Sequence, residues 1–374
     1  MKILMFSYLP PVLSGIATHT YHLSKELIER GHEVEIVSFL NKSCKKDGIK
    51  IYGIKGHVDI QDIYTIKTPY SVEKIKRIIE ESNPDILHFH HRTSSIEFFL
   101  GKLKSDIPMI NTVHSSAGSL DLSVRDIVHH LHYKKLSEIL QKYSDHIITV
   151  SNFNKKKLVE NGVNRKKVTV IRNGINPEEF KISKKEARKK LKIEDDEKIV
   201  LFAGRHVREK GLGYLLRAFK KIDDAKLFIL GTGPLIDIYK TYKKLPYSKN
   251  NIIFKGNIPR DELPYYFSAA DVFVLPSIYP EPQGIVLFEA MASRTAIVST
   301  KVGGVPEVIR ETKSGILVKP KSVAKLREAI KKLLGDENLR KKLASNGYKN
   351  VKKYTWKKVA LKTEKIYKMV LKHN

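Results

Sequence analysis

Two glutamates separated by seven residues, Glu281 and Glu289, are residues whose type and spacing could do chemistry. The Pro/Gly segment Pro282-Gln283-Gly284 follows the first, and a helix-like stretch beginning at Ile285 contains the second. Paired carboxylates can act as the acid and base of a hydrolase, hold a divalent metal, or accept hydrogen bonds from vicinal hydroxyls. Two solvated surface glutamates would look the same, so the pair alone leaves these alternatives open.

The elements around this pair place it at the edge of a sheet. The apolar run Val272–Leu275 predicts a buried strand, so Glu281 lies on the loop at the carboxyl end of that strand. Glu289 then lies about one turn inside the following helix, because a helix rises ~5.4 Å per turn. Ligands bind at this edge of open parallel sheets, and the N–H groups at a helix start suit an anion or a hydroxyl-rich ligand.

A second stretch, Gly204–Gly211 (GRHVREKG), follows the predicted strand Ile199–Ala203 and precedes a predicted helix. Arg205 and Lys210 therefore lie at the carboxyl edge of a sheet. A guanidinium and an ammonium beside a helix N-terminus suit a diphosphate, and they would neutralise charge on a phosphate leaving group. Two surface cations on a loop of a Lys-rich chain are the alternative.

Strands alternate with helices along nearly the whole chain, which predicts an α/β protein with doubly wound parallel sheets. The alternation breaks at residues 172–177 (RNGINP) and then restarts, so this segment is the predicted junction between two similar halves. A length of 374 residues also favours two domains. We expect a cleft between two such halves, where ligands commonly bind.

Cysteine content and hydropathy exclude several classes of protein. The single cysteine, Cys44, excludes an internal disulfide and a cysteine-based zinc or Fe–S site, and it fits a reducing intracellular setting. The apolar run near Met1 is too short for a signal peptide and predicts the first strand. No run approaches the ~18 apolar residues of a membrane span.

The net charge of +29 is concentrated at the end of the chain, where the last 51 residues hold 16 Lys/Arg and 4 Asp/Glu, a balance of +12. Such a field suggests an anionic partner, namely a lipid surface, a phosphorylated substrate or nucleic acid. A thermophile-like composition would give the same charge. Since no aromatic-interleaved basic motif is present, nucleic acid is not the expected partner. The predicted helix 356–372 is amphipathic and could lie on an anionic membrane.

The order and spacing of several motifs resemble the retaining GT-B glycosyltransferases of family GT4. In the second half these motifs are GRHVREKG, PSIYPEPQGIVLFEAMA, VGGVPEVI and SGILV. In the first half they are LPP to SG (9–15), RGHEV, PDILHFH, TVHS, ITVSNF and VIRNGIN. The resemblance covers essentially the whole chain. It implies two Rossmann-like domains, an N-terminal acceptor-side domain of 1–174 with a returning helix 356–374, and a nucleotide-sugar domain of 175–355.

The resemblance also implies roles for individual residues. Glu281 would bind donor-sugar hydroxyls and Glu289 the nucleotide ribose, while Arg205 and Lys210 would bind the diphosphate. Backbone N–H groups of the segment Pro282, Gln283, Gly284, Ile285 would help hold the sugar, although Pro282 itself has none. The remaining assignments are Gly15 at the diphosphate, His114 beside the transferred sugar, and Asn257 and Ile258 at the base.

Two departures from the family pattern and the histidines bear on these roles. Ser14 stands where the family usually has a glycine, and Arg294 stands at a probable helix C-cap glycine, so it must take a positive φ or the cap must change. His88 and His90 alternate along a predicted strand without a carboxylate or thiol partner placed by the sequence, so no metal site is predicted. Either histidine could instead line the acceptor side.

The function expected from this resemblance is retaining transfer of a hexosyl group from a nucleotide sugar to a hydroxyl acceptor, without a metal cofactor. The departing diphosphate would itself deprotonate the acceptor, which would be a carbohydrate or a lipid-linked or anionic molecule. A nucleotide-sugar 2-epimerase of the same fold is an alternative, but it needs an acid/base set that the sequence does not show. A basic nucleic-acid-binding protein is the third. The expected location is cytoplasmic, with peripheral contact at the inner face of the membrane.

Overall fold

The computed structural model describes residues 1–7, 15–38, 42–54, 69–91, 103, 106–114, 124–241 and 251–372. They form two compact units, Met1–Gly174 with Trp356–Asn374, and Ile175–Thr355. The units have the same bounds as the two domains expected from the sequence. Most of the motif segment 9–15, including Ser14, lies outside the described residues.

The first unit is built on a sheet whose described strands number eight. They are β1 Lys2–Phe6, β2 Glu33–Ser38, β3 Cys44–Lys46, β4 Ile49–Gly53, β5 Ile86–His91, β6 Met109–Val113, β7 His146–Thr149 and β8 Val168–Val170. Their order is β3-β4-β2-β1-β5-β6-β7-β8, and all neighbours are parallel except β3 and β4. Parallel neighbours require crossover connections, which is why helices separate these strands in sequence.

The helices described in this unit follow the predicted alternation. They are α1 Gly15–Glu29, α2 Pro69–Ser82, α3 Val124–Tyr143, α4 Asn152–Glu160 and α13 Trp356–Leu371. Helix α13 belongs to the first unit and buries Trp356, Val359 and Tyr367, whereas Met369 on the same helix is 38% exposed.

The hairpin of β3 and β4 is an element that the sequence analysis missed. Asp47 and Gly48 join its strands with φ values of 49° and 83°. Two positive φ values in a two-residue turn are typical of type I′, and Asp-Gly is the dipeptide that favours it. The signal was therefore present, but β3 is exposed on all three residues and lacks an alternating apolar pattern.

The second unit has a fully parallel sheet of six described strands, in the order β11-β10-β9-β12-β13-β14. The strands are β9 Ile199–Ala203, β10 Lys226–Leu230, β11 Ile252–Gly256, β12 Val272–Leu275, β13 Ala296–Thr300 and β14 Gly315–Val318. The helices are α5 Lys184–Leu191, α6 Leu212–Phe219, α7 Ile236–Thr241, α8 Leu263–Ala269, α9 Ile285–Ala292, α10 Val305–Thr312, α11 Val323–Gly335 and α12 Glu337–Val351.

Alternate residues of these strands enter two different apolar clusters. Leu201 and Phe273 pack in one cluster, whereas Val200 and Val274 pack in the other. Helices therefore cover both faces of the sheet, which explains why its strands are continuous apolar runs. This arrangement leaves the loops at the carboxyl ends of β9, β11, β12 and β13 at one edge. Among the described residues, no helix combines the length and apolarity needed to cross a membrane.

Candidate active site

Lys210 and Glu281 form an ion pair at the edge of the second unit's sheet, where loops follow the carboxyl ends of the strands. The Lys210 ammonium lies 2.6 Å from Oε1 of Glu281, and the Ser277 hydroxyl donates to the same oxygen at 2.6 Å. Lys210 ends the short 3₁₀ turn Arg208–Lys210 after β9, and Glu281 lies on the loop after β12. Because β9 and β12 are parallel neighbours, their carboxyl ends bring the two loops together. The sequence-predicted cation and carboxylate therefore form one cluster.

Burial and neighbouring charges shift the pKa of Glu281 in opposite directions. Burial by itself raises the pKa of this carboxyl, but the Lys210 ammonium, the Ser277 hydroxyl and the more distant charge of Arg205 outweigh it, so the pKa lies below its usual value. Glu281 is thus a carboxylate at neutral pH. An ionised carboxylate accepts hydrogen bonds and donates none, which suits a hydroxyl-rich ligand better than general-acid chemistry.

The backbone of the Glu281 loop is held in place by its neighbours. The Gly304 N–H donates to the Glu281 carbonyl at 2.8 Å, and the Thr300 hydroxyl donates to the Ser277 carbonyl at 2.5 Å. A Cβ on Gly303, whose φ is +53°, would stand 2.1 Å from the same Glu281 carbonyl oxygen. The first glycine of the motif VGGVPEVI, Gly303, therefore allows its backbone to approach the Glu281 carbonyl closely, and this contact holds the Glu281 loop in place.

Glu289 has a different environment from Glu281, although both are buried. It lies in α9, a helix that starts after Gly284. Arg260 approaches its Oε1 at 3.4 Å and also lies 3.6 Å from Glu179. Burial raises the pKa of Glu289, Arg260 opposes this and Glu179 adds to it, and the net pKa is above the usual value. The pKa values of the two glutamates of the motif are therefore shifted in opposite directions.

Arg260 and Glu179 were not identified from the sequence. Arg260 follows the predicted base turn Asn257-Ile258 by two residues, so its position next to a functional turn was a usable signal. Glu179 belongs to the 3₁₀ helix Pro177–Phe180 that opens the second unit, far away in sequence, and only the packed structure brings it to Arg260.

The turns after β9, β10 and β11 are joined to one another by hydrogen bonds. The Gly231 N–H donates to the Gly256 carbonyl at 2.7 Å, and the His206 N–H donates to the Thr232 carbonyl at 2.8 Å. The Thr232 hydroxyl lies 3.1 Å from Oδ1 of Asn257. The segment Gly231–Pro234 therefore forms the turn after β10. Arg205 and Asn257 are exposed on these turns, and Ile258 is half-buried.

His206 is a residue of this edge that the sequence analysis did not single out. Its ring is fully buried beside Phe202, Tyr239 and Phe254. Burial is the main reason that the pKa of His206 is lowered, so the ring is neutral at pH 7. It serves to pack the loop that carries Arg205.

The segment between the two glutamates turns sharply into α9. Gly284 has a φ of 79° at the N-cap position, a conformation that side chains rarely adopt. Gln283 is fully buried, whereas Pro282 and Ile285 are half-buried. The predicted sugar-holding segment is thus the end of the loop after β12, and its last residue, Ile285, starts the helix.

In the first unit, the predicted residues Gly15 and His114 occupy the ends of two elements. Gly15 is the exposed first residue of α1, and a Cβ there would meet no described atom within 4 Å. His114 follows the last residue of β6 and is partly exposed, with its Nε2 3.1 Å from Nδ1 of His90. His90 is 1% exposed and lies on the neighbouring strand β5.

His88 and His90 differ in their contacts, although both were predicted on the acceptor side. His88 is completely buried, with Nδ1 2.6 Å from the Tyr367 hydroxyl and Nε2 2.8 Å from the Thr112 hydroxyl. Such a ring joins β5, β6 and α13 and has a packing role rather than contact with an acceptor. His90 instead contacts His114, and His19 of α1, which the sequence analysis missed, lies against both rings.

Comparison with known proteins identifies the family. The model described as glycosyl transferases group 1 matches residues 183–350, and the model of glycosyltransferase family 4 matches residues 13–179. An uncharacterized glycosyltransferase of Methanocaldococcus jannaschii is 31% identical over 99% of both chains. The chain is a group 1 glycosyltransferase. The phosphatidylinositol N-acetylglucosaminyltransferase GPI3 subunit of Saccharomyces cerevisiae is 26% identical, over 96% of this chain and 80% of its own length.

Solved structures establish the fold of this glycosyltransferase as GT-B. A sucrose-phosphate synthase from Thermosynechococcus elongatus superposes with a TM-score of 0.86 at 23% identity, over the whole of both chains. Anabaena HepE in complex with UDP-glucose superposes with a TM-score of 0.81 at 18% identity, over 99% of this chain and all of HepE. At these identities the likeness establishes the architecture and not the substrate.

One departure from the family pattern has a structural answer. Arg294, which stands where a helix C-cap glycine was expected, takes a φ of +56° just after α9. Its guanidinium lies over the Tyr348 ring, 4.2 Å from the centroid. The conformation expected of a glycine is therefore kept by this glycosyltransferase, and a cation–π contact offsets part of its cost.

Proposed function

We propose that this glycosyltransferase moves a hexosyl group from a nucleoside-diphosphate sugar to a hydroxyl acceptor with retention of configuration. The observation that supports the proposal is the contact between Lys210 and Glu281, because a cation suited to phosphate lies against a carboxylate suited to sugar hydroxyls. The structure of HepE, which has the same fold, is a complex with UDP-glucose, and this supports a nucleotide sugar as the donor.

The roles of the second unit's residues follow from their chemistry. Glu281, ionised at neutral pH, would accept hydrogen bonds from the sugar, and Arg205 and Lys210 would hold the diphosphate as negative charge develops on it. Glu289 would accept from the ribose. The turn Asn257-Ile258 would support the base. Gly15 at the diphosphate and His114 at the transferred sugar remain predictions from the family pattern.

Transfer is proposed to need no metal ion, because the guanidinium of Arg205 and the ammonium of Lys210 supply positive charge at the leaving group. With same-face transfer, the departing diphosphate takes the proton of the acceptor hydroxyl. The described carboxylates Glu281 and Glu289 then position the donor and do not form a proton-transfer pair, consistent with their opposite pKa shifts.

A donor screen tests the proposal. We expect one or a few of the UDP-, GDP- and ADP-sugars to raise the melting temperature of the protein by mass action, with about 2.7 kcal/mol of stabilisation at a hundred times Kd. Lys210→Met should remove that shift, whereas Lys198→Met, whose lysine forms an exposed ion pair with Asp224, should keep it. Absence of any shift with every nucleotide diphosphate would overturn the assignment.

The chemistry is tested with the donor that the screen identifies. NMR of the product should show the anomeric configuration of the donor, and activity should persist in EDTA. Inverted product would exclude retention, and activity lost in EDTA and restored by Mg²⁺ would exclude metal-free transfer. Conversion of the donor into its 2-epimer without an acceptor would instead identify an epimerase.

The acceptor is proposed to be anionic or lipid-linked. Helix α13 exposes a row of lysines together with Leu361 and Met369, while its other face is buried. Such a helix suits an anionic lipid surface at the inner face of a cell membrane. The exposed lysines are Lys357, Lys358, Lys362, Lys365 and Lys368.

Vesicle sedimentation tests the membrane contact. We expect binding to vesicles with anionic lipid and little to neutral vesicles, with loss at high salt because the attraction is screened. Replacing Lys357, Lys362 and Lys365 by glutamine should abolish binding, whereas the same change at the exposed α12 residues Lys341, Lys342 and Lys349 should not. Equal loss in both triple variants would show that only the net charge matters.

A further inference from the structure

Three histidines from separate elements meet in the first unit. His19 of α1, His90 of β5 and His114 after β6 each offer a ring nitrogen, and these three nitrogens lie within 4.8 Å of one another. The ring centroid of His19 lies 5.4 Å from that of His90 and 4.6 Å from that of His114. Each of the three rings is carried by a different element of the first unit.

The proton of His19 is directed away from the cluster. Its Nδ1 lies 2.8 Å from the side-chain oxygen of Asn173, an amide oxygen that only accepts. Nδ1 therefore carries the proton, and Nε2 is the nitrogen with a lone pair. A hydrogen bond from the second ring nitrogen to an oxygen is how proteins fix the tautomer of a metal-binding histidine.

Burial keeps the His19 ring in its neutral form. Burial lowers the pKa of His19 to about 4, and the hydrogen bond to Asn173 reverses only part of that shift. At neutral pH the imidazole therefore binds no second proton. The form that ligates a metal is the neutral one.

The other two rings are already at a ligand-like separation. Nδ1 of His90 and Nε2 of His114 are 3.1 Å apart. Two nitrogens at ~2.0–2.1 Å from a tetrahedral zinc ion are about 3.3 Å apart. At this distance one ring donates its N–H to the other ring. For both nitrogens to bind a cation, the proton of the donating ring has to move to that ring's other nitrogen. The longest separation in the cluster has to shorten by only about 1.5 Å for the same geometry.

The surroundings hold the rings in orientation. The His88 ring packs on His90 with centroids 4.2 Å apart and is itself fixed by Tyr367 and Thr112. The Trp356 ring meets His19 edge-on, with centroids 5.4 Å apart. His19 and His90 are almost completely buried, whereas His114 is partly exposed and gives a route for an ion from solvent.

From this geometry we propose that His19, His90 and His114 form a binding site for a divalent d-block cation of the Zn²⁺ class. Imidazole nitrogen is a ligand that suits zinc, copper and nickel, and a three-histidine set leaves a fourth position for water. The site belongs to the first unit. The charge proposed for the donor phosphates comes instead from Arg205 and Lys210, which belong to the second unit.

The proposal changes how the histidines are grouped. The sequence drew attention to HFHHR as a strand pattern, but only His90 of that pattern joins the cluster, and its partners come from α1 and from the end of β6. If His114 also acts at the transferred sugar, which rests on the proposed function, then a bound cation would compete with transfer. Zinc would be an inhibitor and not a cofactor.

Calorimetry on the full chain tests the site. The protein is produced without a polyhistidine tag, stripped with EDTA, dialysed and titrated with ZnCl₂. We expect one tight ion per chain, lost in His19→Ala and in His90→Ala. Asn173→Ala should weaken binding about 10–100-fold, because it removes only the partner that orients His19. His22→Ala, one turn along α1 and outside the cluster, should bind as the wild type does.

X-ray absorption on the wild-type zinc complex keeps the test independent of variant folding. We expect three imidazole nitrogens at ~2.0–2.1 Å from zinc. Fewer than two imidazoles, absence of a stoichiometric ion, or equal binding by His19→Ala and His22→Ala that melt like the wild type in EDTA would each overturn the proposal.

Activity forms a separate arm of the experiment. Zinc should inhibit donor-dependent transfer and EDTA should restore it. Inhibition that persists unchanged in a folded His19→Ala variant would overturn the link between the site and transfer. A protein with no transfer activity in EDTA would refute the proposed function, while the calorimetry and absorption results would still decide the metal site.

Discussion

The Lys210 ammonium and the Glu281 carboxylate, 71 residues apart in sequence, are in contact at 2.6 Å at the edge of the second unit's sheet. They meet because β9 and β12 are parallel neighbours, so the loops after both strands leave the sheet on the same side. Lys210 lowers the pKa of a carboxyl that burial alone would raise.

Removing either partner of this pair should disable transfer. We expect Lys210→Met and Glu281→Gln each to lower kcat about 10²–10³-fold, the usual loss when one preorganised electrostatic contact is removed. Initial rates with the donor found by the screen give the measurement. Lys198→Met, an exposed lysine in the same unit, should retain full activity. Wild-type rates in both site variants would remove these residues from the mechanism.

Replacing Glu289 should separate stability from nucleotide binding. The pKa of Glu289 is raised in the folded protein, because burial disfavours the charged form in the fold more than in the unfolded chain. The stability cost appears as pH rises through the folded pKa and disappears below the unfolded value of 4.5. We therefore expect Glu289→Gln to raise the melting temperature at pH 7–8 by an amount that shrinks as pH falls toward 4.5.

The same variant should bind nucleotide about tenfold or more weakly, because a hydrogen bond to a charged acceptor is lost. Melting curves across pH and calorimetric titration with the nucleotide provide the two readouts. Glu328→Gln, an exposed glutamate paired with Lys325, is the matched control and should change neither. Lower stability of Glu289→Gln at neutral pH would show that the Arg260 contact outweighs burial.

A methyl group on Gly303 should distort the Glu281 loop. The added carbon would lie 2.1 Å from the Glu281 carbonyl oxygen, and the residue has a φ of +53°. We expect Gly303→Ala to destabilise the second unit by at least about 2 kcal/mol and to weaken donor binding in variants that still fold. Denaturant unfolding measures the first effect. Gly335→Ala, at the end of α11 with no described atom within 4 Å of the added carbon, should unfold like the wild type.

Arg188 should be a stability residue of the second unit without a part in catalysis. It is 3% exposed, donates to the carbonyls of Glu194 at 2.9 Å and Asp195 at 2.7 Å, and lies 3.1 Å from Asp271. Asp271 in turn accepts from the Ile199 N–H at 2.8 Å.

We expect Arg188→Ala to lower the free energy of unfolding by about 3 kcal/mol, since it leaves a buried carboxylate with weaker partners. Calorimetry should show an earlier transition for the second unit, with kcat at low temperature unchanged. Lys325→Ala, which breaks an exposed ion pair, should cost less than about 1 kcal/mol. A shift as small as that of the control would mean that Lys184 and Arg340 fully compensate at Asp271.

The sequence was sufficient for the elements whose signal is local. A strand that is buried on both faces of a parallel sheet has a continuous apolar sequence, so runs such as Val272–Leu275 are recognisable as strands. The same holds for the helix that carries Glu289, which starts where the Pro/Gly segment ends. The hairpin at Asp47-Gly48 was missed because its outer strand is short and polar, although its turn dipeptide was visible.

Tertiary packing decided which residues share a site. Nothing local connects Arg260 to both Glu179 and Glu289, or His19 to His90 and His114, because these contacts depend on strand order and on the crossing of elements far apart in the chain. Packing also gave His88 and His90 different hydrogen-bond partners, although the two residues lie on one strand and their rings are in contact.

Residue types and their order alone determined that this chain consists of two halves in which strands alternate with helices. They also determined that two glutamates and two cations lie near the carboxyl ends of the strands in the second half. Those features depend on side-chain hydropathy and on backbone preferences over a few residues. Only the folded structure decided the ionisation of the glutamates, because a pKa depends on burial and on charges within a few ångströms. Glu281 is held ionised by Lys210, whereas Glu289 is driven toward its neutral form, and the spacing between them could not reveal that difference.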